Sequence, residues 1–143
     1  MEIRELESND YNKEYLELLN QLRPVQKYSY TKFNEIITHI SKHERNKKTF
    51  VIENDNIICG TISIVIETKF IYEGKSLVHI EDLVIHEKYR KNGYGTKLID
   101  HCLSYAKQHN CQKIALCSRT DATEFYAKKN FKIIGSYFAK YEE

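Results

Sequence analysis

The stretch VHIEDLVIHEKYRKNGYGTKLIDHCLSYA, residues 78–106, organises the rest of this chain. Its first part is apolar and mostly β-branched, which is typical of a buried strand, but Glu81 and Asp82 interrupt it. Gly93 and Gly95 follow in a basic turn, where glycine permits a positive φ or a close approach of the backbone to a ligand. Apolar residues then recur every three or four positions, which predicts a helix that begins near Gly95.

The turn between this strand and this helix has the chemistry of an anion site. Successive backbone N–H groups and a helix N-terminus offer donors, and Arg90, Lys91 and Lys97 add positive charge. A Walker loop is excluded because Gly95 is not followed directly by lysine. A dinucleotide fingerprint is excluded because position 98 is leucine, where a third glycine is needed.

Composition and charge bound the class of protein. The chain has 143 residues and is 41% hydrophobic, so we expect a single domain over residues 1–143. The formal net charge of +2 is spread along the chain and favours no nucleic-acid partner. No apolar run suits a membrane helix and the N-terminus is charged, so we expect a cytoplasmic protein with no membrane partner. The cysteines and histidines lack metal-ligand spacing, so we expect reduced thiols and no metal.

Periodicity along the whole chain predicts a mixed sheet covered by helices. Strands are predicted at residues 3–6, 49–53, 57–68, 78–85, 113–117 and 131–138. Helices are predicted at residues 15–22, 33–40, 95–106 and around 125–126. The strand at 113–117 follows a full helix, so it should lie parallel to the central strand.

The loop Arg90-Lys91-Asn92-Gly93-Tyr94-Gly95 resembles the Gln/Arg-x-x-Gly-x-Gly/Ala loop of the GNAT N-acetyltransferase superfamily. FYAKKNF, residues 125–131, is similar to the F-Y-x-K-x-G-F of the same family. The resemblance implies an α/β fold of the α+β type, with a mixed, mostly antiparallel twisted sheet, splayed central strands and flanking helices. It also implies an acetyl-coenzyme A-dependent enzyme. The coenzyme contacts that it implies are Leu83, Val84, Ile85, Arg90, Lys91, Asn92, Gly93, Tyr94, Gly95, Thr96 and Tyr126.

Acetyl transfer from a thioester to an amine needs a neutral amine, a stabilised carbonyl oxygen and a protonated leaving thiolate. Glu81 or Asp82 is the candidate base, directly or through water; strand alternation sends the two to opposite faces, and we favour Glu81. A strand N–H near Leu83 or Val84 is the candidate donor to the oxygen. The resemblance implies Tyr126 as the general acid, and the alternative for this residue is a half-buried core tyrosine.

Further pieces of the chain resemble the glucosamine-6-phosphate N-acetyltransferase branch of the superfamily. They are Leu19-Asn20-Gln21-Leu22, Ile66-Glu67-Thr68-Lys69-Phe70-Ile71, His79-Ile80-Glu81-Asp82, Leu98-Ile99-Asp100-His101 and Cys111-Gln112-Lys113-Ile114. The resemblance implies glucosamine 6-phosphate as the acceptor and a homodimer whose last strands pair across subunits. The substrate contacts that it implies are Arg23, Lys69, Phe70, Ile71, Tyr72, Glu81 and Asp82.

The chain also departs from that branch. Cys117 stands where the branch carries an acidic residue, and Ala122 stands where it carries an asparagine. The branch's C-terminal arginine has no clear counterpart, with Lys140 or Tyr141 nearest, and Arg119 lies outside the pattern. Two alternatives therefore remain: a GNAT enzyme for another amine, such as a protein N-terminus, a lysine or a polyamine, and a non-catalytic coenzyme A-binding module.

Overall fold

A computed structural model describes residues 2–142 of this chain as a twisted sheet with helices on both faces. The strands are β1 (Ile3–Glu5), β2 (Lys47–Asn54), β3 (Ile57–Thr68), β4 (Ser76–Ile85) and β5 (Cys111–Leu116). The helices are α1 (Tyr15–Asn20), α2 (Tyr30–His43), α3 (Tyr94–Gln108) and α4 (Thr123–Ala127). The sheet order is β1-β2-β3-β4-β5, antiparallel throughout except for the parallel pair β4 and β5. The predicted fold class is confirmed.

A bulge in β4 changes which side chains face which layer. Ser63 pairs with Glu81 and Thr61 pairs with Val84, so Asp82 and the residue after it oppose a single residue of β3. Asp82 adopts a left-handed backbone conformation with φ of 51°. An extra residue inverts the alternation of side chains along a strand.

The packing of β4 against the apolar clusters on the two faces of the sheet shows this inversion. Before the bulge, Val78 and Ile80 pack in the cluster formed with α3. After it, Val84 packs in the opposite cluster, formed with α1 and α2, while Leu83 and Ile85 pack on the α3 side. The bulge therefore decides which layer each of these three apolar residues enters.

The two central strands separate after a short parallel stretch. Pairing of β4 with β5 ends at Ile80 and Leu116, whereas pairing of β4 with β3 continues to Ile85. Residues 81–85 therefore have a neighbouring strand on one side only. The predicted splay of the central strands is confirmed.

The predicted last strand, residues 131–138, is wrong: no described residue after β5 lies in a strand. This C-terminal segment, residues 131–142, exposes a set of large apolar side chains: Ile133, Ile134, Tyr137, Phe138 and Tyr141. The segment and β5 line opposite parts of one cavity of about 840 Å³, and the segment does not join the sheet. A strand needs a hydrogen-bonded neighbour as well as a suitable pattern, and this segment pairs with no strand among residues 2–142.

The cysteines are free thiols, as expected. Burial raises the pKa of Cys59 to about 11 and that of Cys102 to about 12, so both stay protonated at neutral pH. Within residues 2–142 there is no group of three His, Cys, Asp or Glu side chains arranged to bind a metal. In the same part of the chain, every helix is too short or too polar to cross a membrane.

Candidate active site

The two carboxylates of β4 lie where the strand loses its parallel neighbour. The side chains of Glu81 and Asp82 are both exposed, and the residues on either side, Ile80 and Leu83, are buried or half-buried. The bulge corrects the expectation that regular alternation sends the carboxylates to opposite faces, because the alternation is interrupted at Asp82 itself. Both carboxylates are therefore available to a ligand beside the open edge of β4.

The loop that follows, residues 90–95, leads directly into the N-terminus of α3. Lys91 and Gly93 adopt left-handed conformations with φ of 66° and 80°, and the helix begins at Tyr94. The first N–H groups of a helix have no acceptor within the helix and are free for an anion. Of the two possibilities that the sequence left open for these glycines, a positive φ is found at Gly93 and not at Gly95, and the helix begins one residue before Gly95.

Three side chains of this loop serve its own structure. Arg90 donates from Nε to the carbonyl of Ile85 at 3.0 Å, which fixes the guanidinium beside the end of β4. Asn92 donates from Nδ2 to the carbonyl of Tyr89 at 3.0 Å and so closes the turn. Tyr94 is buried, and its hydroxyl accepts a hydrogen bond from Asn54 at 3.4 Å. Asn92 and Tyr94 are therefore suited to contact a ligand through their backbone, whereas Arg90 keeps further N–H groups for one.

Gly95 has no positive φ, and it lies where the backbone of α3 approaches β4 and α4. A β-carbon at Gly95 would lie 3.6 Å from the ring of Phe125 and 3.8 Å from the side chain of Ile85, which is ordinary contact distance. The sequence reasoning missed Gly60, where a β-carbon would lie 2.8 Å from Ile85. A glycine inside an apolar strand signals this kind of close approach. Together these contacts bring β3, β4, α3 and α4 to one point.

Tyr126 lies on α4 next to that point. Its ring packs edge to face with Phe125 at 5.0 Å and with Phe131 at 5.9 Å between centroids. The residue is half-buried, and its hydroxyl has no hydrogen-bond partner among the described residues. Burial raises the pKa of Tyr126 above its ordinary value, so the hydroxyl carries its proton at neutral pH.

The 840 Å³ cavity contains Tyr126 but not the carboxylates. Cys117 and Ser118 line it with Tyr126, along the outer edge of β5, and no residue of β4 or of the loop 90–95 does. This cavity and the open edge of β4 therefore have different linings. Tyr126 is the predicted catalytic residue that borders this outer cavity.

The predicted substrate contacts lie at two ends of the sheet. Lys69 and the turn Phe70–Tyr72 form the tip of the hairpin between β3 and β4. Between Ser76 and Glu81 the strand spans roughly 17 Å, so this hairpin tip is remote from the carboxylates of the same chain. Arg23, in contrast, follows α1 at the end of the sheet where β4 meets the loop 90–95.

Ion pairs already engage two of the candidate phosphate ligands. Lys69 lies 3.0 Å from Glu67, which also contacts His79 at 3.0 Å, and Arg119 lies 3.1 Å from Asp121. Arg23 forms no ion pair within the part of the chain that the structure describes. Arg23 is therefore the candidate whose charge is fully available to a ligand.

Comparison with known proteins identifies the family. The model of the acetyltransferase (GNAT) family matches residues 2–131. This chain belongs to the GNAT family. The predictions of the superfamily and of an N-acetyltransferase enzyme are confirmed, and a single domain over residues 1–143 stays a prediction.

Individual GNAT proteins resemble the chain over nearly its whole length. A glucosamine 6-phosphate N-acetyltransferase of Arabidopsis thaliana is 30% identical over 128 residues, which cover 88% of this chain and 86% of that protein. Glucosamine 6-phosphate N-acetyltransferase 1 of Dictyostelium discoideum is 32% identical, with 96% and 88% covered. The crystal structure of the Arabidopsis thaliana glucosamine-6-phosphate N-acetyltransferase superposes with a TM-score of 0.94 at 28% identity, covering 99% of this chain and 98% of that one.

GNAT acetyltransferases use acetyl-coenzyme A, and the residues present fit that ligand. The edge of β4 at residues 81–85 offers backbone groups that pair with no strand on that side, as an extended amide-containing arm requires. The left-handed Gly93 and the free N–H groups of α3 suit a diphosphate, and Arg90 adds charge beside them.

A pair of glycine substitutions separates the two glycines of the loop. Gly93→Ala forces a β-carbon into a left-handed conformation, which costs about 1 to 2 kcal/mol and favours a rearranged loop. We expect coenzyme A to bind about three to ten times more weakly to this variant, measured by calorimetric titration. Gly95→Ala is the matched control, because its β-carbon makes only ordinary contacts, and its affinity should stay within about twofold.

Equal losses in both variants would contradict the assignment of Gly93 as the conformational centre of the loop. Unaltered affinity in both would remove the loop from coenzyme binding.

Proposed function

We propose that this chain transfers the acetyl group of acetyl-coenzyme A to the amine of glucosamine 6-phosphate, giving N-acetylglucosamine 6-phosphate. The observation that carries the proposal is the exposed pair Glu81 and Asp82, held by a bulge at the point where β4 loses its parallel neighbour. The similarity to glucosamine 6-phosphate N-acetyltransferases over almost the whole chain supports the choice of acceptor. We further propose that the enzyme is cytoplasmic.

The carboxylates supply the base. An amine arrives as ammonium at neutral pH and must lose a proton before it attacks a carbonyl carbon. Glu81 is placed to accept that proton, directly or through one water, since it immediately precedes the bulge and is exposed. Asp82 then contacts the acceptor or orients the water.

Two further groups of the chain complete the proposed chemistry. When bound, acetyl-coenzyme A supplies the thioester carbonyl that is attacked. A backbone N–H of Leu83 or Val84 on the open edge of β4 donates to the acyl oxygen, and such fixed dipoles need no reorganisation as charge develops. The Tyr126 hydroxyl holds the proton that the departing sulfur takes, and its raised pKa keeps that proton in place until then.

Charge on two surfaces supports a phosphorylated acceptor. Arg23 is exposed and unpaired at the same end of the sheet as the coenzyme loop, residues 90–95, and guanidinium groups bind phosphate through two parallel hydrogen bonds. The hairpin tip is remote from Glu81 of its own chain, so Lys69 and Phe70–Tyr72 would act on the acceptor bound to a second copy. We therefore propose a homodimer with a shared acceptor site.

Exposed apolar surface supports the dimer. Phe70 and Ile71 at the hairpin tip are almost entirely exposed, as is most of the C-terminal segment. Apolar patches of this kind are typical of protein interfaces. The outer edge of β5 is open beside the C-terminal segment, and strand pairing between copies would satisfy the backbone of both.

The acceptor is tested by measuring release of free coenzyme A thiol from acetyl-coenzyme A. Glucosamine 6-phosphate should give a kcat/KM about 10 to 100 times higher than unphosphorylated glucosamine, because a charge-assisted hydrogen bond is worth roughly 1.5 to 3 kcal/mol. Spermidine and lysine peptides are the comparison amines. Preference for either of these would overturn the sugar-phosphate proposal, and coenzyme binding without turnover of any amine would favour a non-catalytic module.

The role of Tyr126 is tested by removing its hydroxyl. Tyr126→Phe should lower kcat about 100-fold, the lower range for a general acid, while coenzyme A affinity stays within about twofold. Because burial raises the pKa of Tyr126, activity that depends on its proton should fall only at strongly alkaline pH, and this decline should be absent from the variant. Tyr137→Phe is the matched control on the same cavity, and unchanged turnover in Tyr126→Phe would remove this residue from the mechanism.

The dimer is tested by placing a charge in the C-terminal segment. Ile134→Glu puts a carboxylate into the proposed interface and should weaken self-association about tenfold or more in sedimentation experiments. Lys128→Glu changes an exposed residue of α4's C-terminus and should leave association unchanged. A wild-type chain that stays monomeric at high micromolar concentration would contradict the proposal.

A further inference from the structure

Gln21 joins the acceptor side of the molecule to the coenzyme side. It caps the C-terminus of α1, and its Oε1 accepts a hydrogen bond of 2.9 Å from the backbone N–H of Glu87. Glu87 opens the short 3₁₀ turn Glu87–Tyr89, which leads into the coenzyme loop. The first N–H groups of such a turn need an acceptor from outside, and Gln21 supplies one.

Both ends of this link are fixed by the core. On one side, α1 is held by buried side chains, and the backbone N–H of Gln21 donates to Leu18 at 3.0 Å. On the other side, the backbone N–H of His86 donates to Cys59 of β3 at 2.8 Å, and Arg90 donates to Ile85 at 3.0 Å. The Gln21 side chain is therefore a direct hydrogen-bonded link between two well-anchored segments, the end of α1 and the turn Glu87–Tyr89.

Asn20, the residue before Gln21, anchors the segment that follows α1. Asn20 accepts, through Oδ1, a hydrogen bond of 2.9 Å from the backbone N–H of Val25. This bond ties down the segment between α1 and α2, residues 22–29, which we call the acceptor loop because it carries Arg23. The side-chain amide of Asn20 thus holds the acceptor loop, and that of the next residue, Gln21, holds the turn before the coenzyme loop.

We propose that Gln21 is a positioning residue that couples the two substrate sites. It holds the acceptor loop, and Arg23 within it, at a fixed position relative to the coenzyme loop. Binding of the coenzyme therefore reduces the mobility of the acceptor loop. The inference rests on the proposed function in taking Arg23 as an acceptor contact. Coupling of this kind is reciprocal, so a filled acceptor site also favours the coenzyme.

The kinetic test compares three glutamine variants. Gln21→Ala should raise KM for glucosamine 6-phosphate about three- to tenfold, the worth of one hydrogen bond, while kcat and the melting temperature change little. Gln21→Glu keeps an acceptor oxygen at the same reach and should recover most of the loss. Gln108→Ala, at the exposed end of α3, is the control and should leave both kinetic constants unchanged.

A second measurement does not depend on which amine is the substrate. Coenzyme A alone should slow hydrogen exchange of the acceptor-loop amides in the wild type, in Gln21→Glu and in Gln108→Ala, and this protection should be absent in Gln21→Ala. If this pattern is found but glucosamine 6-phosphate is not acetylated, the proposed acceptor is wrong and the coupling stands. The inference is overturned if Gln21→Ala keeps both the wild-type KM for glucosamine 6-phosphate and the protection of the acceptor loop by coenzyme A. It is also overturned if the rise in KM only parallels a fall in melting temperature.

Discussion

The backbone hydrogen bonding of β4 is the constraint on which the rest of this molecule depends. The strand is paired on both sides up to Ile80 and on one side from there to Ile85. Unpaired backbone groups are costly unless water or a ligand satisfies them, so the second half of β4 is suited to the extended arm of the coenzyme that we propose to bind there. The coenzyme loop and α3 follow directly in sequence. A strand edge for amides and a helix end for phosphates thus arise from one continuous piece of chain.

The bulge at Asp82 makes this arrangement compatible with a packed core. If β4 kept regular alternation beyond Ile80, its apolar residues would face the wrong layers. One extra residue instead sends Val84 toward α1 and α2 and returns Leu83 and Ile85 to the α3 side. The left-handed backbone of Asp82 costs about 1 to 2 kcal/mol, which the burial of these side chains offsets. The same feature leaves both carboxylates exposed, so core packing and the exposure of the proposed catalytic carboxylates have a common origin.

Local patterns in the sequence were sufficient for most of the fold. The spacing of apolar residues located the helices and the first five strands, whereas which of the two loop glycines has a positive φ was decided only by the structure. The bulge at Asp82 was not predicted. It arises because two residues of β4 lie opposite one residue of β3, and the sequence of β4 alone does not contain this information. The predicted strand at residues 131–138 failed for a related reason, since its pattern is local, whereas a strand also needs a paired neighbour and residues 131–142 pair with none of the described strands.

The candidate site was predicted less completely than the fold, and the loop shows why. The family resemblance implied Asn92 and Tyr94 as coenzyme contacts, which stays a prediction, and the structure adds that their side chains hold the turn and fill the core. The loop motif predicts the conformation of the backbone. The contacts of its side chains depend on the residues that the tertiary structure places beside them. Gln21 illustrates the converse, because its partner Glu87 is distant in sequence and only the folded chain brings them together.

The distribution of cations links acceptor choice to assembly. The Lys69 and Arg119 pairs with carboxylates are exposed and worth about 1 kcal/mol or less, so a phosphate dianion can displace either carboxylate. These ion pairs therefore do not prevent Lys69 and Arg119 from binding a phosphate. Lys69, however, is too far from Glu81 of its own chain to contact an acceptor bound there. A monomer would have to recognise phosphate at this end of the sheet mainly through Arg23. Selectivity that draws on Lys69 as well requires a second copy, so the Lys69 contribution to phosphate recognition would be lost together with the dimer, and the Arg23 contribution would remain.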